Sequence, residues 1–230
     1  MTKTPAAQRD LRARMIGVCL RMNALGLNQG KSGNLSARLD GASCLITPSG
    51  VAYETMKPAD MATLHFDGRW SGPTRPSSEW RFHRDIFANR PDAGAVLHTH
   101  SRHATALACL GLKIPAFHYM VAAAGGADIR CAPYATFGSQ ELSDAALAAL
   151  KGRKACLLAH HGLIVIGATP EKALDLAVEV EALAAMYLSA CQIKKPRLLA
   201  KREMDKVIAL FQTYGTPQFP DDGLRRIGKI

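Results

Sequence analysis

A chain of 230 residues with 48% hydrophobic composition is long enough to bury one substantial core, and it falls within the size of a single domain. The formal charge of +10 invites a polyanionic partner, but the basic residues are scattered, densest over 194–206 and at Arg225 and Arg226. They lack the interleaved aromatics of a base-stacking surface, so nucleic acid is excluded in favour of a positive field that gathers small anions. No uninterrupted apolar run reaches bilayer length and the N-terminus MTKTPAAQRDLRARM is no signal segment, so neither a membrane span nor export is expected and the chain is placed in the cytoplasm.

Leu11, Met15, Val18, Met22 and Leu25 recur at steps of four and three, which predicts an opening helix with one buried face that ends at Gly26. Gly30, Ser32, Gly33 and Asn34 then form a turn-rich lead into short alternating segments, joined at Asp40-Gly41 as a hairpin; Asp67-Gly68 signals a second hairpin. Thr47-Pro48-Ser49-Gly50 reads as a tight turn between them. Ser77 and Ser78 stand where they can cap a helix over 79–89, stopped by Pro91. A buried strand follows at 93–98, then a helix over 103–110 capped by Ser101, an extended stretch over 114–119 and a helix over 141–150 closed by Gly152. Apolar segments at 155–159 and 163–166 precede Thr169-Pro170-Glu171, a helix start whose helix runs to about Gln192. Glu203 to Tyr214 forms a last helix, closed by Gly215, and 216–230 is expected to be a loosely ordered tail beyond a domain spanning 1–215.

Strands interleave with helices, yet two hairpins argue against a purely parallel sheet. The fold class expected is α/β: a single-domain three-layer α/β/α sandwich around a mixed, mainly antiparallel sheet. Cys19, Cys44, Cys109, Cys131, Cys156 and Cys191 form no C-x-x-C pair and read as reduced thiols.

His98 and His100 end a predicted strand, and the two-residue period places both on one face. A catalytic metal site takes three protein ligands and keeps a position open, and the strand-end pair His160-His161 offers the third imidazole. An isolated H-x-H is more often a satisfied pair than a ligand set; the second histidine pair and the acid Glu79 tip the reading toward a metal, and neutral imidazoles suit zinc. Glu79 also fits the plainer part of an acid stabilising a helix N-terminus. Gly33-Asn34, Ser49-Gly50 and Ser77-Ser78 are polar clusters able to hold an oxyanion, and no Walker or dinucleotide fingerprint accompanies them.

The strings GLNQGKSGNLSAR, LITPSG, SSEWRFHRDIFANRPDAGAVLHTH, IPAFHYMVAAAGG, CAPYATFG, LLAHHGLI and EKALDLAVEVEALA closely resemble the class II aldolase/adducin family, in order and from the first helix to about Gly215. The resemblance implies a zinc ion, one per subunit, held by His98, His100 and His161, with Glu79 as a further ligand when substrate is absent and His160 as a neighbour. It implies a substrate phosphate held at Gly33, Asn34, Ser49, Gly50, Ser77 and Ser78, Ser49 standing where the family has threonine. Tyr119 matches a catalytic tyrosine that reaches an adjacent subunit of a homotetramer, and Phe211 and Tyr214 match aromatics that close over the substrate. The departures Thr99, Ser101 and Arg102, with the longer basic tail, bear on the aldehyde half of the substrate.

The activity so implied is that of a lyase cleaving a small phosphorylated sugar, a deoxyketose 1-phosphate, to dihydroxyacetone phosphate and an aldehyde. L-fuculose 1-phosphate comes first, with 5-deoxyribulose or 5-methylthioribulose 1-phosphate as alternatives. Glu79 exchanges a proton with the enediolate carbon and Tyr119 relays the proton of the C4 hydroxyl. A sugar-phosphate epimerase or dehydratase on the same scaffold, and a non-catalytic adducin-like binding module, are the competing readings.

Overall fold

The computed structural model describes residues 5–211. Its centre is one eight-stranded sheet in the order β4-β3-β2-β1-β5-β8-β7-β6. The strands are β1 (Asn34–Arg38), β2 (Ser43–Ile46), β3 (Ala62–His65), β4 (Trp70–Ser71), β5 (Ala95–Thr99), β6 (Arg130–Ala132), β7 (Ala155–Leu158) and β8 (Gly162–Gly167). Every neighbouring pair is antiparallel except β6 with β7. The expected mixed, mainly antiparallel sheet is what forms, and both Asp-Gly hairpins close where the sequence puts them.

Among the described residues six α-helices cover the two faces: α1 (Pro5–Ala24), α2 (Trp80–Asn89), α3 (Arg102–Cys109), α4 (Gln140–Leu150), α5 (Pro170–Ile193) and α6 (Lys201–Phe211). Alternation along each strand decides which helices it meets. Leu35 and Ala37 of β1 and Leu97 of β5 join one core with α1, α3, α5 and α6, whereas Ile46, Val96 and Ile164 join Phe82, Ile86 and Phe87 of α2 and Leu142 and Ala146 of α4 on the opposite face. This is the three-layer sandwich expected from the sequence. Each buried Leu, Ile or Phe contributes about 1.5–3 kcal/mol relative to exposure.

Four local expectations need correction. α1 stops at Ala24, so Leu25 lies past its end and is 52% exposed instead of continuing the buried stripe. The stretch 114–119 holds a single bridge, Ile114 to Ile129, before a 3-10 turn begins at Tyr119. The N-cap of α2 is Glu79, not Ser77 or Ser78; the Ser77 hydroxyl accepts the Glu79 N–H at 3.3 Å. Ser101 holds the N-cap position of α3, but the carboxylate of Glu181 on α5 takes the His103 and Ala104 N–H groups at 2.8 and 2.9 Å. A charged acceptor supplied by tertiary packing satisfies the free donors of a helix start better than a hydroxyl does.

α5 is long and apolar enough, by length and composition, to cross a membrane. Its apolar stripe, including Leu174, Val180 and Leu183, is buried against the sheet core, which is reason enough for its composition. The last turn of α2 is held by Arg38 of β1, whose guanidinium donates to the carbonyls of Phe87, Arg90 and Ala93 at 2.7–2.9 Å and lies over the Phe87 ring at 4.9 Å. This anchors the helix that presents Glu79. Among the described residues all six cysteines are free thiols.

Candidate metal centre

His98 and His100 leave the C-terminal end of β5, and His161 comes from the tight turn between β7 and β8. One ligand nitrogen from each lies within 4.8 Å of the others. The turn is bent by His160, whose φ of 55° places a non-glycine residue in the left-handed region, and it is pinned by hydrogen bonds from the His160 N–H to the Ala108 carbonyl and from the His161 N–H to the Leu158 carbonyl. His160 therefore turns its ring toward Tyr134, 6.0 Å away between centroids, and His161 turns inward. The orientation of the two rings is compatible with the roles that the resemblance implies, His161 toward the cluster and His160 beside it.

Glu79 enters from the N-terminus of α2. Its Oε2 is 3.2 Å from His98 Nε2 and its Oε1 is 3.1 Å from His161 Nε2, while His98 Nε2 and His100 Nε2 are 3.0 Å apart. The side chain thus faces the imidazoles, and makes no capping bond to its own helix. His98 is wholly buried with Nδ1 on the Leu163 carbonyl at 3.0 Å, which puts the proton on Nδ1 and leaves Nε2 bare toward the cluster. Burial pushes the His98 pKa down to about 4 and lowers that of His100, so both imidazoles are neutral near pH 7. Burial works to raise the Glu79 pKa, but the His98 and His161 imidazoles and the Asn34 amide outweigh it and hold the carboxyl below its ordinary range.

Three imidazoles and a carboxylate therefore stand within about 3 Å of one another, an arrangement that a divalent cation fits. The donor chemistry fits such an ion: three imidazoles and one carboxylate oxygen, with a cleft on the open side. Close approach depends on Gly162. A Cβ there would stand 2.6 Å from the Thr99 carbonyl oxygen and 2.8 Å from His100 Cδ2, so β8 lies against the imidazoles only because that position has no side chain. Gly162→Ala is expected to weaken metal affinity by about tenfold or more; competition with a chromogenic chelator measures it, and parental affinity would show that the strand can move at no cost.

The cleft over the cluster, of about 310 Å3, is lined by Glu79, His100, His161 and Ser78 and walled by Tyr134 and Phe137, which are 63% and 67% exposed. Sequence reasoning gave these two aromatics no role, although their string CAPYATFG carries part of the resemblance. Beside it, Ser49 donates its N–H to the Arg75 carbonyl, Ser77 donates to the Thr47 carbonyl, and Pro48 bridges to Pro76. Ser49-Gly50 and Ser77-Ser78 are thereby laid side by side. A second cleft of about 480 Å3 contains Ser49, Ser77 and Ser78 with Arg75 and Arg81, and Ser78 belongs to both clefts.

Gly33 precedes β1, where a Cβ would meet the His98 carbonyl oxygen at 2.8 Å. Both ends of the Asn34 amide are engaged: Nδ2 donates to Glu79 Oε2 at 2.9 Å and Oδ1 meets His83 at 2.6 Å. Tyr119 is 47% exposed against His118 and is absent from the lining of the metal cleft. Phe211 lines a different cleft, with Met120 and Leu176. Tyr214, like the tail 216–230, lies outside the described residues.

The family model for the class II aldolase and adducin N-terminal domain matches residues 13–188. A 5-methylthioribulose-1-phosphate/5-deoxyribulose-1-phosphate aldolase of Rhodospirillum rubrum is 54% identical over 211 residues, covering 92% of this chain and 95% of the relative. An L-fuculose phosphate aldolase of Escherichia coli (strain K12) is 49% identical over 206 residues, covering 89% and 95%. Among solved structures, an L-fuculose 1-phosphate aldolase superimposes with a TM-score of 0.86 at 34% identity, covering 92% of this chain and 98% of the other.

Proposed function

The chain belongs to the class II aldolase and adducin family, and on that footing we propose that it is a metal-dependent aldehyde-lyase that splits a deoxyketose 1-phosphate into dihydroxyacetone phosphate and an aldehyde. The observation that carries the reading is the convergence of His98, His100, His161 and Glu79 at a cleft that shares Ser78 with a polar, arginine-rimmed cleft beside it. A binding module has no need of three imidazoles around a buried carboxylate.

A divalent cation at this site, zinc by the preference of neutral imidazoles, supplies charge stabilisation as the carbon–carbon bond beside the ketone breaks. The chain's own groups do the rest. Ser49, Gly50, Ser77 and Ser78, with Gly33 and Asn34, present hydroxyl and backbone donors to the phosphate, and Arg75 and Arg81 add positive charge beside them. Glu79 exchanges a proton with the carbon that loses its partner. Tyr119, absent from the lining of the metal cleft in its own chain, serves the proton of the C4 hydroxyl in an adjacent copy of a homotetramer, and Phe211 and Tyr214 close over the substrate. Tyr134 and Phe137 offer an apolar wall for a terminal methyl or thioether.

The test is kcat/KM for L-fuculose, 5-deoxyribulose and 5-methylthioribulose 1-phosphates and their unphosphorylated ketoses, read as dihydroxyacetone or its phosphate released. The phosphate contacts are built for a charged group, so each phosphorylated ketose is expected to exceed its parent sugar by about 10⁴-fold. Among the three the apolar wall separates substrates by only about 1–3 kcal/mol per methylene. A best substrate without phosphate, or an epimer formed with no carbon–carbon cleavage, would overturn the reading.

A further inference from the structure

Behind Glu79 lies a set of buried polar side chains, the Asn34 amide among them, whose hydrogen bonds to one another neither metal binding nor backbone donation to a phosphate explains. His83, one turn into α2, is fully buried, with the Phe82 ring 4.6 Å from its own. Its Nδ1 is 2.6 Å from Ser36 Oγ and its Nε2 is 2.6 Å from Asn34 Oδ1. Asn34 in turn donates from Nδ2 to Glu79 Oε2 at 2.9 Å. Asn34 and Ser36 are two residues apart on β1 and so share the face that looks at α2, and Asn34 pairs in register with His98.

The polarity of this chain of contacts has one solution for a neutral histidine. A carboxylate only accepts hydrogen bonds, so Asn34 must aim its NH₂ at Glu79 and its carbonyl at His83. His83 must then carry its proton on Nε2, which leaves Nδ1 bare to accept the Ser36 hydroxyl hydrogen. Burial keeps the ring uncharged, pushing its pKa down to about 3. Each contact then pairs one donor with one acceptor, and reversing the Asn34 amide would set two oxygens against each other at the carboxylate.

We propose that Ser36, His83 and Asn34 form a fixed, uncharged hydrogen-bond relay that points one N–H at Glu79 Oε2 and leaves Oε1 as the oxygen that carries the proton. His83 is a positioning residue: it touches neither the histidine cluster's ligand nitrogens nor the cleft, and acts by denying the Asn34 amide its other orientation. An oxygen that already accepts an N–H is the less basic of the two, which assigns proton transfer to its partner. The consequence for turnover rests on the aldolase reading; the relay itself does not.

The relay is tested first in the purified parent protein by long-range ¹H–¹⁵N correlation of the imidazoles. His83 is expected as the neutral tautomer with the proton on Nε2; an Nδ1–H tautomer or an imidazolium near pH 7 would overturn the relay, whatever reaction the protein performs. In the cleavage assay, His83→Leu is expected to lower kcat by about 10–100-fold with KM and metal content close to the parent's. His83→Gln, which keeps an N–H donor near the Nε2 position, is expected to restore most of that loss. Equal losses in the two variants, or a change in KM alone, would reduce His83 to packing and refute the proposal. Should His83→Leu fail to fold, the tautomer and a near-parental kcat for His83→Gln carry the test. If the parent releases no dihydroxyacetone phosphate, the aldolase reading falls and the tautomer alone decides the relay.

Discussion

Glu79→Gln is expected to lower kcat by about 10²–10⁴-fold while metal stoichiometry stays at the parental level. The substitution keeps shape and one oxygen, so the Asn34 N–H that reaches Oε2 at 2.9 Å retains an acceptor and the helix start is undisturbed. The three imidazoles remain to hold the ion. What disappears is the ability to take and return a proton, since an amide has no accessible protonation near neutral pH. Steady-state kinetics on a deoxyketose 1-phosphate, paired with elemental analysis of the same preparation, measures both. A variant that turned over like the parent would leave Glu79 with no more than its place at the end of α2.

His98→Ala is expected to abolish stoichiometric metal binding and, with it, measurable turnover. Among the three clustered imidazoles His98 is the most enclosed: it is wholly buried, edge-on to Phe82 at 5.6 Å, and oriented by the Leu163 carbonyl. Truncation removes the imidazole that the Leu163 carbonyl orients and leaves a void at the centre of the cluster, so His100, His161 and Glu79 are no longer held at the spacing that grips the ion. The control is His160→Asn, because asparagine tolerates the left-handed backbone found there and the ring it removes faces Tyr134 instead of the cluster. Metal retained by His160→Asn and lost by His98→Ala bears out the assignment. Metal lost from His160→Asn would mean that the adjacent histidines exchange roles.

The two outcomes separate binding from chemistry: one variant keeps the ion and loses the proton carrier, and the other loses the ion while Glu79 stays in place. Glu79 also shows how a plain structural reading and a functional one coexist. It does sit at a helix N-terminus, as a dipole argument expects, but its carboxylate turns away from the helix, to the Asn34 amide at 2.9 Å and to within 3.1–3.2 Å of the His98 and His161 rings, and makes no capping bond.

What the chain's sequence determines by itself is what short-range physics can settle. Two-residue alternation makes His98 and His100 cofacial, Asp40-Gly41 and Asp67-Gly68 close hairpins through their turn conformations, and Thr169-Pro170 starts α5 with the Thr169 side chain capping Lys172. Those signals are complete within a few residues, so no partner is needed to interpret them. β6 escaped because three residues are too few to show alternation. The tertiary structure alone decides that β5 lies between β1 and β8, and from that order follow Asn34 beside His98, Leu163 holding the His98 proton, and Gly162 clear of His100. The relay through Ser36 and His83, the cap that Glu181 gives to α3, and the aromatic wall of Tyr134 and Phe137 have the same origin. Each joins residues tens of positions apart, and such pairs are selected by the burial of two whole sheet faces at once, a condition that no local pattern of residues encodes.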